Sequence, residues 1–244
     1  MPKASWAYGA STDDQLFDAL CAIIRSRIPG FRIQYKDESI LSKIIGFLIF
    51  FNRDYMTKYT TTLGDLVKFP SRKFVEENKW KAFKILAHEY VHILDNDKAP
   101  VMFKILYAAP QWLGLLSLVA LLAIWFSNWW LMALVCLIFF VPWPSPRAHL
   151  EMRGYSMNIA INMWRHGDII EKTREWLVEK FIGWPYYKMA WRESTIREWI
   201  AETEELVHNL DRMKPDATIF ETSVAFQDVY QLLTDIEFDE APTG

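Results

Sequence analysis

Two histidines and a glutamate stand at a spacing that can do chemistry in His88-Glu89-Tyr90-Val91-His92. On a helix, residues four apart share one face, so both imidazoles can reach a single metal ion while Glu89 stands beside it. Neutral imidazoles suit Zn²⁺, and a neighbouring carboxylate can take a proton from a water whose pKa the metal lowers to about 7. The pattern points to metal-assisted hydrolysis of an amide bond, with Glu89 as general base. A solvated helix can carry the same residues without a metal, so the flanking run decides. That run, from Trp80 to Ala87, is apolar at helical spacing, and Leu86, Tyr90, Ile93 and Leu94 are available for burial.

Two histidines do not complete a zinc site; a third protein ligand is needed, with one position left for water. Metzincin spacing would require a histidine at position 98, which is Lys98. Asp95, one turn after His92, reads better as an acceptor for the outer nitrogen of a ligand histidine, or as a helix cap. Glu151 is the stronger third ligand. Arg147, Tyr155, Asn158 and Asn162 share its helical face, and such a polar face in an apolar segment must find partners if it is buried. His149 points away from that face and is the alternative ligand. His166 and His208 read as surface residues, and Tyr155 is a candidate oxyanion donor, with a packed structural tyrosine as the other reading.

The elements that must position these residues follow from the pattern on either side. Thr12-Asp13-Asp14-Gln15 reads as a capping box opening an amphipathic helix that stops at Pro29-Gly30, and Phe31 to Lys36 alternates as a strand does. Ser39 to Phe51 is an apolar helix too short for a confident membrane span. Tyr55 to Thr62 and Leu66 to Phe69 flank Leu63-Gly64-Asp65 as a hairpin; Thr60 to Phe69 is the candidate edge for holding extended substrate, with a structural hairpin covering the core as the stronger reading of any one residue in it. After the motif helix come two uncharged runs, Leu113 to Phe126 and Trp129 to Val141, with tryptophans near their ends. They suggest a membrane hairpin over 107–143; one long broken span and a buried soluble helical pair are the other readings. Prolines from Pro142 to Pro146 close it and Arg147 opens the next helix. Ile169 to Ile182, Ser194 to Arg212 and Ala217 to Ile236 then read as amphipathic helices. The chain thus divides into 1–106 with the motif helix, the hairpin 107–143, and 144–244 with the third-ligand helix and an acidic tail.

Composition narrows the setting. The net charge is −3, yet from Glu193 onward thirteen acidic residues face three basic ones, leaving +7 on the first 192 residues. A basic body with an acidic tail suits an anionic lipid surface, and the absence of a basic block interleaved with aromatics argues against nucleic acid. An ordinary solvated surface is an equal reading of the same charge. Twelve tryptophans among 52% apolar residues also favour a membrane interface. Cys21 and Cys136 make no disulfide framework, and Met1 to Gln15 lack the pattern of a signal peptide. Lysines and arginines flank the hairpin while its tip carries none, which places the catalytic part on the cytoplasmic side.

The HEYVH string, the hydrophobic run after it and the helix bearing Glu151 together resemble the membrane-embedded gluzincin metallopeptidases, which include the CAAX prenyl endopeptidases and the bacterial heat-shock membrane protease. The likeness covers roughly 40–162, with Tyr155 where that group carries an aspartate; uncharacterised bacterial or phage zincin-like membrane proteins are a second likeness. It implies an α+β fold: a mostly helical zincin-like domain with a small sheet, interrupted by the hairpin. It also implies zinc on His88, His92 and Glu151, Glu89 as general base, and a peptide or protein substrate. The reading from another class is a non-catalytic zincin-like membrane or assembly protein, for instance within a virion, that uses the hairpin as anchor or wedge.

Overall fold

The computed structural model describes residues 10–40, 42–43, 56–57, 59–107, 146–183, 189–190, 192–209 and 224–239. They form a mostly helical α+β arrangement around one small sheet. Helix α1 is Ala10–Arg27, and strands β1 (Arg32–Tyr35), β2 (Thr61–Leu63) and β3 (Leu66–Phe69) follow. A short α2 (Arg72–Glu77) leads into the motif helix α3 (Lys79–Lys98). The second half contributes α4 (Pro146–His166), α5 (Glu171–Ile182), α6 (Glu193–His208) and α7 (Val224–Asp239).

The sheet runs in the order β1-β3-β2, with β1 parallel and β2 antiparallel to the central β3. Gly64 adopts φ +60° in the two-residue turn between β2 and β3, a conformation open to glycine at little cost. Only part of the expected substrate edge is an edge: Leu66–Phe69 is the central strand, and within that stretch the edge strand is Thr61–Leu63. Val67 and Phe69 are fully buried, and Phe17 of α1 meets Phe69 edge-on with ring centroids 6.0 Å apart.

The motif helix is the axis of the core. Phe83, Leu86, Tyr90 and Ile93 are fully buried, each worth about 1.5–3 kcal/mol against exposure. Leu94 packs against them, as the spacing predicts. Helices α1 and α4 make the most extensive contacts with α3. On its α1 side, Tyr90 Oη donates to Asp228 of α7 at 2.7 Å, and Arg27 of α1 grips the same carboxylate with two bonds of 2.6 Å. The acidic tail therefore supplies an internal clamp.

Several boundaries differ from the sequence expectation. Helix α1 begins at Ala10, so Thr12 lies inside it and is no cap. The acids of the supposed box serve tertiary pairing: Asp13 lies 3.1 Å from Arg165, and Asp14 lies 3.5 Å from Lys79. Helix α4 opens at Pro146, one residue early, because the first helical position needs no N–H. It ends at Gly167, whose φ of +81° suits a residue following a helix. Helix α5 starts only at Glu171, since Ile170 is extended and Asp168 Oδ1 accepts the Ile169 N–H at 2.7 Å. Helix α2 was not expected; Ser71 caps it by accepting the Phe74 N–H at 3.0 Å. Most of the helix expected over 39–51, and the hairpin over 107–143 apart from Tyr107, lie outside the described residues. Among the described residues, no helix is long and apolar enough to cross a membrane.

Candidate metal centre

Helices α3 and α4 bring together His88, His92 and Glu151, all buried. The two Nε2 atoms are 3.1 Å apart, and His88 Nε2 is 3.6 Å from Glu151 Oε2. Tetrahedral ligands at about 2.0–2.1 Å from zinc stand roughly 3.3 Å from one another. The histidine pair meets that spacing, although at 3.1 Å the two nitrogens can also share a proton. All three donor atoms lie within 4.8 Å of one another, so this group could hold a metal ion. His149, the alternative ligand, is exposed, as are His166 and His208.

The protonation states suit a metal. Burial, then the neighbouring His88, pushes His92 down to about 3, so its ring is neutral near pH 7. Burial alone would raise Glu151, but His88, His92 and Arg147 outweigh it and hold the carboxyl well below the usual range. A neutral imidazole and an ionised carboxylate are the forms that bind cations. Glu89 lies within electrostatic reach of His88 and Glu151. It is partly exposed, yet crowded enough that burial, with Glu151 adding to it, raises its carboxyl, while His88, Thr62 and Lys36 pull the other way. The Thr62 hydroxyl lies close enough to favour the Glu89 carboxylate without completing a hydrogen bond, which sets the edge strand β2 beside Glu89.

The surrounding layer bears on whether the group fits a metal. Asn158 Nδ2 lies 3.5 Å from His88 Nδ1, while Asn158 Oδ1 is buried without a hydrogen-bond partner. Exchanging the two amide atoms would place an acceptor opposite Nδ1, which carries the proton whenever Nε2 binds a metal. His92 Nδ1 and Asn96 Oδ1, one turn apart on α3, are likewise buried and lack partners. Gly154 supplies a cradle: a Cβ there would sit 2.6 Å from Cε1 and Nε2 of His88. These features fit a metal bound at both Nε2 atoms.

Other residues of the polar face on α4 find separate partners. Asn162 Oδ1 accepts from Lys84 at 3.3 Å. Tyr155 sets its ring edge-on to His88 at 4.6 Å and its hydroxyl 2.7 Å from Lys180 Nζ. Arg147 lies 3.7 Å from Glu151 and over the ring of Tyr107, 4.7 Å from its centre. Asp95 does not orient a histidine; its Oδ1 accepts from Arg153 at 2.8 Å, which ties α3 to α4.

Sequence reasoning missed three neighbours. Tyr107, read as the start of the hairpin, donates to Glu151 Oε1 at 2.8 Å and sets its ring against His92 at 6.0 Å. Gly154 carried a weak signal, being a glycine inside a helical run three residues after Glu151. Lys180 carried none, because only the docking of α5 brings it near. Burial pushes Lys180 down to about 8, opposed by the charges of Glu151 and Glu89. Comparison with protein-family models, curated proteins and solved structures returned no match to this chain.

Proposed function

We propose that the chain is a zinc metallopeptidase that hydrolyses peptide bonds at a membrane surface, with His88, His92 and Glu151 as ligands and Glu89 as general base. The observation that carries this reading is the convergence of two Nε2 atoms at 3.1 Å with a buried carboxylate, beside a partly exposed glutamate. Borderline-soft imidazoles with one carboxylate favour zinc over harder cations.

Zinc bound there would polarise the scissile carbonyl and bring the pKa of the attacking water to about 7. Glu89 takes the proton from that water and delivers it to the leaving nitrogen; its raised carboxyl is matched to this exchange. Tyr155 donates to the oxygen that gains charge as the carbonyl is attacked. Strand β2 offers its outer edge to extended substrate next to Glu89. Membrane association rests on the uncharged runs within 107–143 and on the helical stretch 100–107 that leads into them. That stretch exposes Val101, Met102 and Ile105. The basic residues that flank those runs favour the cytoplasmic side for the catalytic part.

The test is metal content per chain, by elemental mass spectrometry on detergent-purified protein, for the wild type and Glu151→Ala. About one zinc per chain, lost in the variant, is expected. Glu89→Gln should retain the zinc and lose hydrolysis of a quenched casein substrate. A wild type that takes up no zinc when incubated with it would overturn the reading.

A further inference from the structure

Lys180 lies on α5, outside the motif helix and the third-ligand helix, yet its ammonium reaches the centre through one side chain. Its Nζ is 2.7 Å from Tyr155 Oη and 4.6 Å from the ring centre of Trp176, one turn earlier on the same helix. Tyr155 in turn packs against His88 on one side and against Trp176 and Phe181 of α5 on the other. The ring has therefore little freedom to turn. Only its hydroxyl hydrogen remains adjustable.

Hydrogen-bond inventory decides where that hydrogen goes. An ammonium donates and cannot accept, so in the Lys180–Tyr155 pair the phenol oxygen must be the acceptor. Its own O–H is then directed away from Lys180. The ammonium also polarises the phenol, making that O–H a stronger donor. Without Lys180 the hydroxyl could rotate towards any acceptor nearby, and its use as an oxyanion donor would cost the energy of turning it back.

We infer that Lys180 is a positioning residue for the metal centre: by donating to Tyr155 Oη it fixes the Tyr155 O–H as a donor to an anionic oxygen held beside His88. The inference rests on the metallopeptidase reading and deepens it, since it assigns a preformed oxyanion donor to a site whose ligands and base come from other residues. Tyr155 touches the reacting oxygen; Lys180 acts through it.

Acetohydroxamate is the probe, because it is a small chelator that presents an anionic oxygen to a metal. The full chain in detergent is loaded with Co²⁺, and probe binding at pH 7 is followed by the cobalt visible absorption. Lys180→Met and Tyr155→Phe should each weaken binding about tenfold, the scale of one hydrogen bond involving a charged group. The double variant should be no weaker than either single one, because both remove the same interaction. Lys180→Arg, which keeps a donor, should recover most of the affinity. Cobalt stoichiometry should stay at one per chain in all of them, which separates this effect from loss of the site or of the fold.

Wild-type affinity in Lys180→Met, or additive losses in the double variant, would overturn the inference while leaving the metal centre standing. Equal losses in Lys180→Met and Lys180→Arg would also overturn it, because the role requires a donor and not a particular packing. A wild type that binds no cobalt and no zinc would overturn both readings together.

Discussion

Helix α3 carries polar groups on two sides, and the two sides are finished differently. Where it faces α1 and α7, Tyr90, Asp228 and Arg27 close on one another through bonds of 2.6–2.7 Å. Where it faces α4, Arg153 and Asp95 still close at 2.8 Å, but the contacts around the two histidines are longer: 3.1 Å between their nitrogens, 3.6 Å from His88 to Glu151, and 3.5 Å from Asn158 to His88. His92 Nδ1 and Asn158 Oδ1, beside the two histidine rings' meeting point, are buried without hydrogen-bond partners. A buried polar group without a partner costs roughly 1–3 kcal/mol, so a chain shaped for stability alone would have removed them. The clamp is an answer to folding. The candidate centre leaves donor atoms that could hold an ion short of internal hydrogen bonds.

If the two sides differ in this way, perturbations should separate them. Acid is the harshest probe of the metal side. As pH falls from 6.5 towards about 3, the unfolded chain takes up a proton on His92 that the folded chain refuses. The unfolded state therefore binds more protons across that window, and stability declines as pH drops through it. Melting temperatures of chelator-treated protein between pH 7 and 4 should show the decline; a flat profile would mean that His92 is not held neutral. On the clamp side, Asp228→Ala strands the buried Tyr90 hydroxyl and should cost about 2–4 kcal/mol in urea unfolding, with zinc stoichiometry unchanged. A loss of zinc in that variant would break the separation.

Gly154→Ala sharpens the contrast because its two effects have opposite signs. Alanine in a helix interior gains roughly 0.5–1 kcal/mol over glycine, yet its Cβ would drive into the His88 ring. Metal affinity should fall at least about tenfold, while the melting temperature of the chelator-treated protein stays near that of wild type because the helix gain offsets the displaced ring. The smallest expected change is Asn158→Ala. It removes the amide that faces His88 Nδ1 at 3.5 Å and should weaken zinc about tenfold in a competitive chelator titration.

What the sequence revealed of this centre is what helical periodicity can carry. His88 and His92 are one turn apart, and Glu151 was singled out because Arg147, Tyr155 and Asn158 recur on its face; all of these meet near the centre. Asn162 shares that face but serves Lys84 instead, further along the helix. Strands β1 and β3 and the turn at Gly64-Asp65 were also visible, but among the described residues of the β-rich run Tyr55 to Thr62 only Thr61 and Thr62 lie in β2, and Leu63, expected in the turn, ends that strand. Lys180, Tyr107 and the Asp228 clamp were not, because each acts across an interface between elements distant in sequence. Asp13 and Asp14 misled for the same reason: local pattern made them a helix start, whereas Arg165 and Lys79 use them in tertiary pairs. The partner of Asp95 was missed because Arg153 lies on the far helix.

Tyr107 and Arg147 meet side chain to side chain over Glu151, and between them run 39 residues of chain. Seen from the rest of the protein, that stretch is a detour that returns to its point of departure. For a flexible connection, doubling the length changes the closure entropy by only about 0.6 kcal/mol, so what matters to α3 and α4 is that its two ends meet. The residues of the candidate metal centre and whatever surface that stretch engages can thus evolve at separate rates, joined at a seam over Glu151.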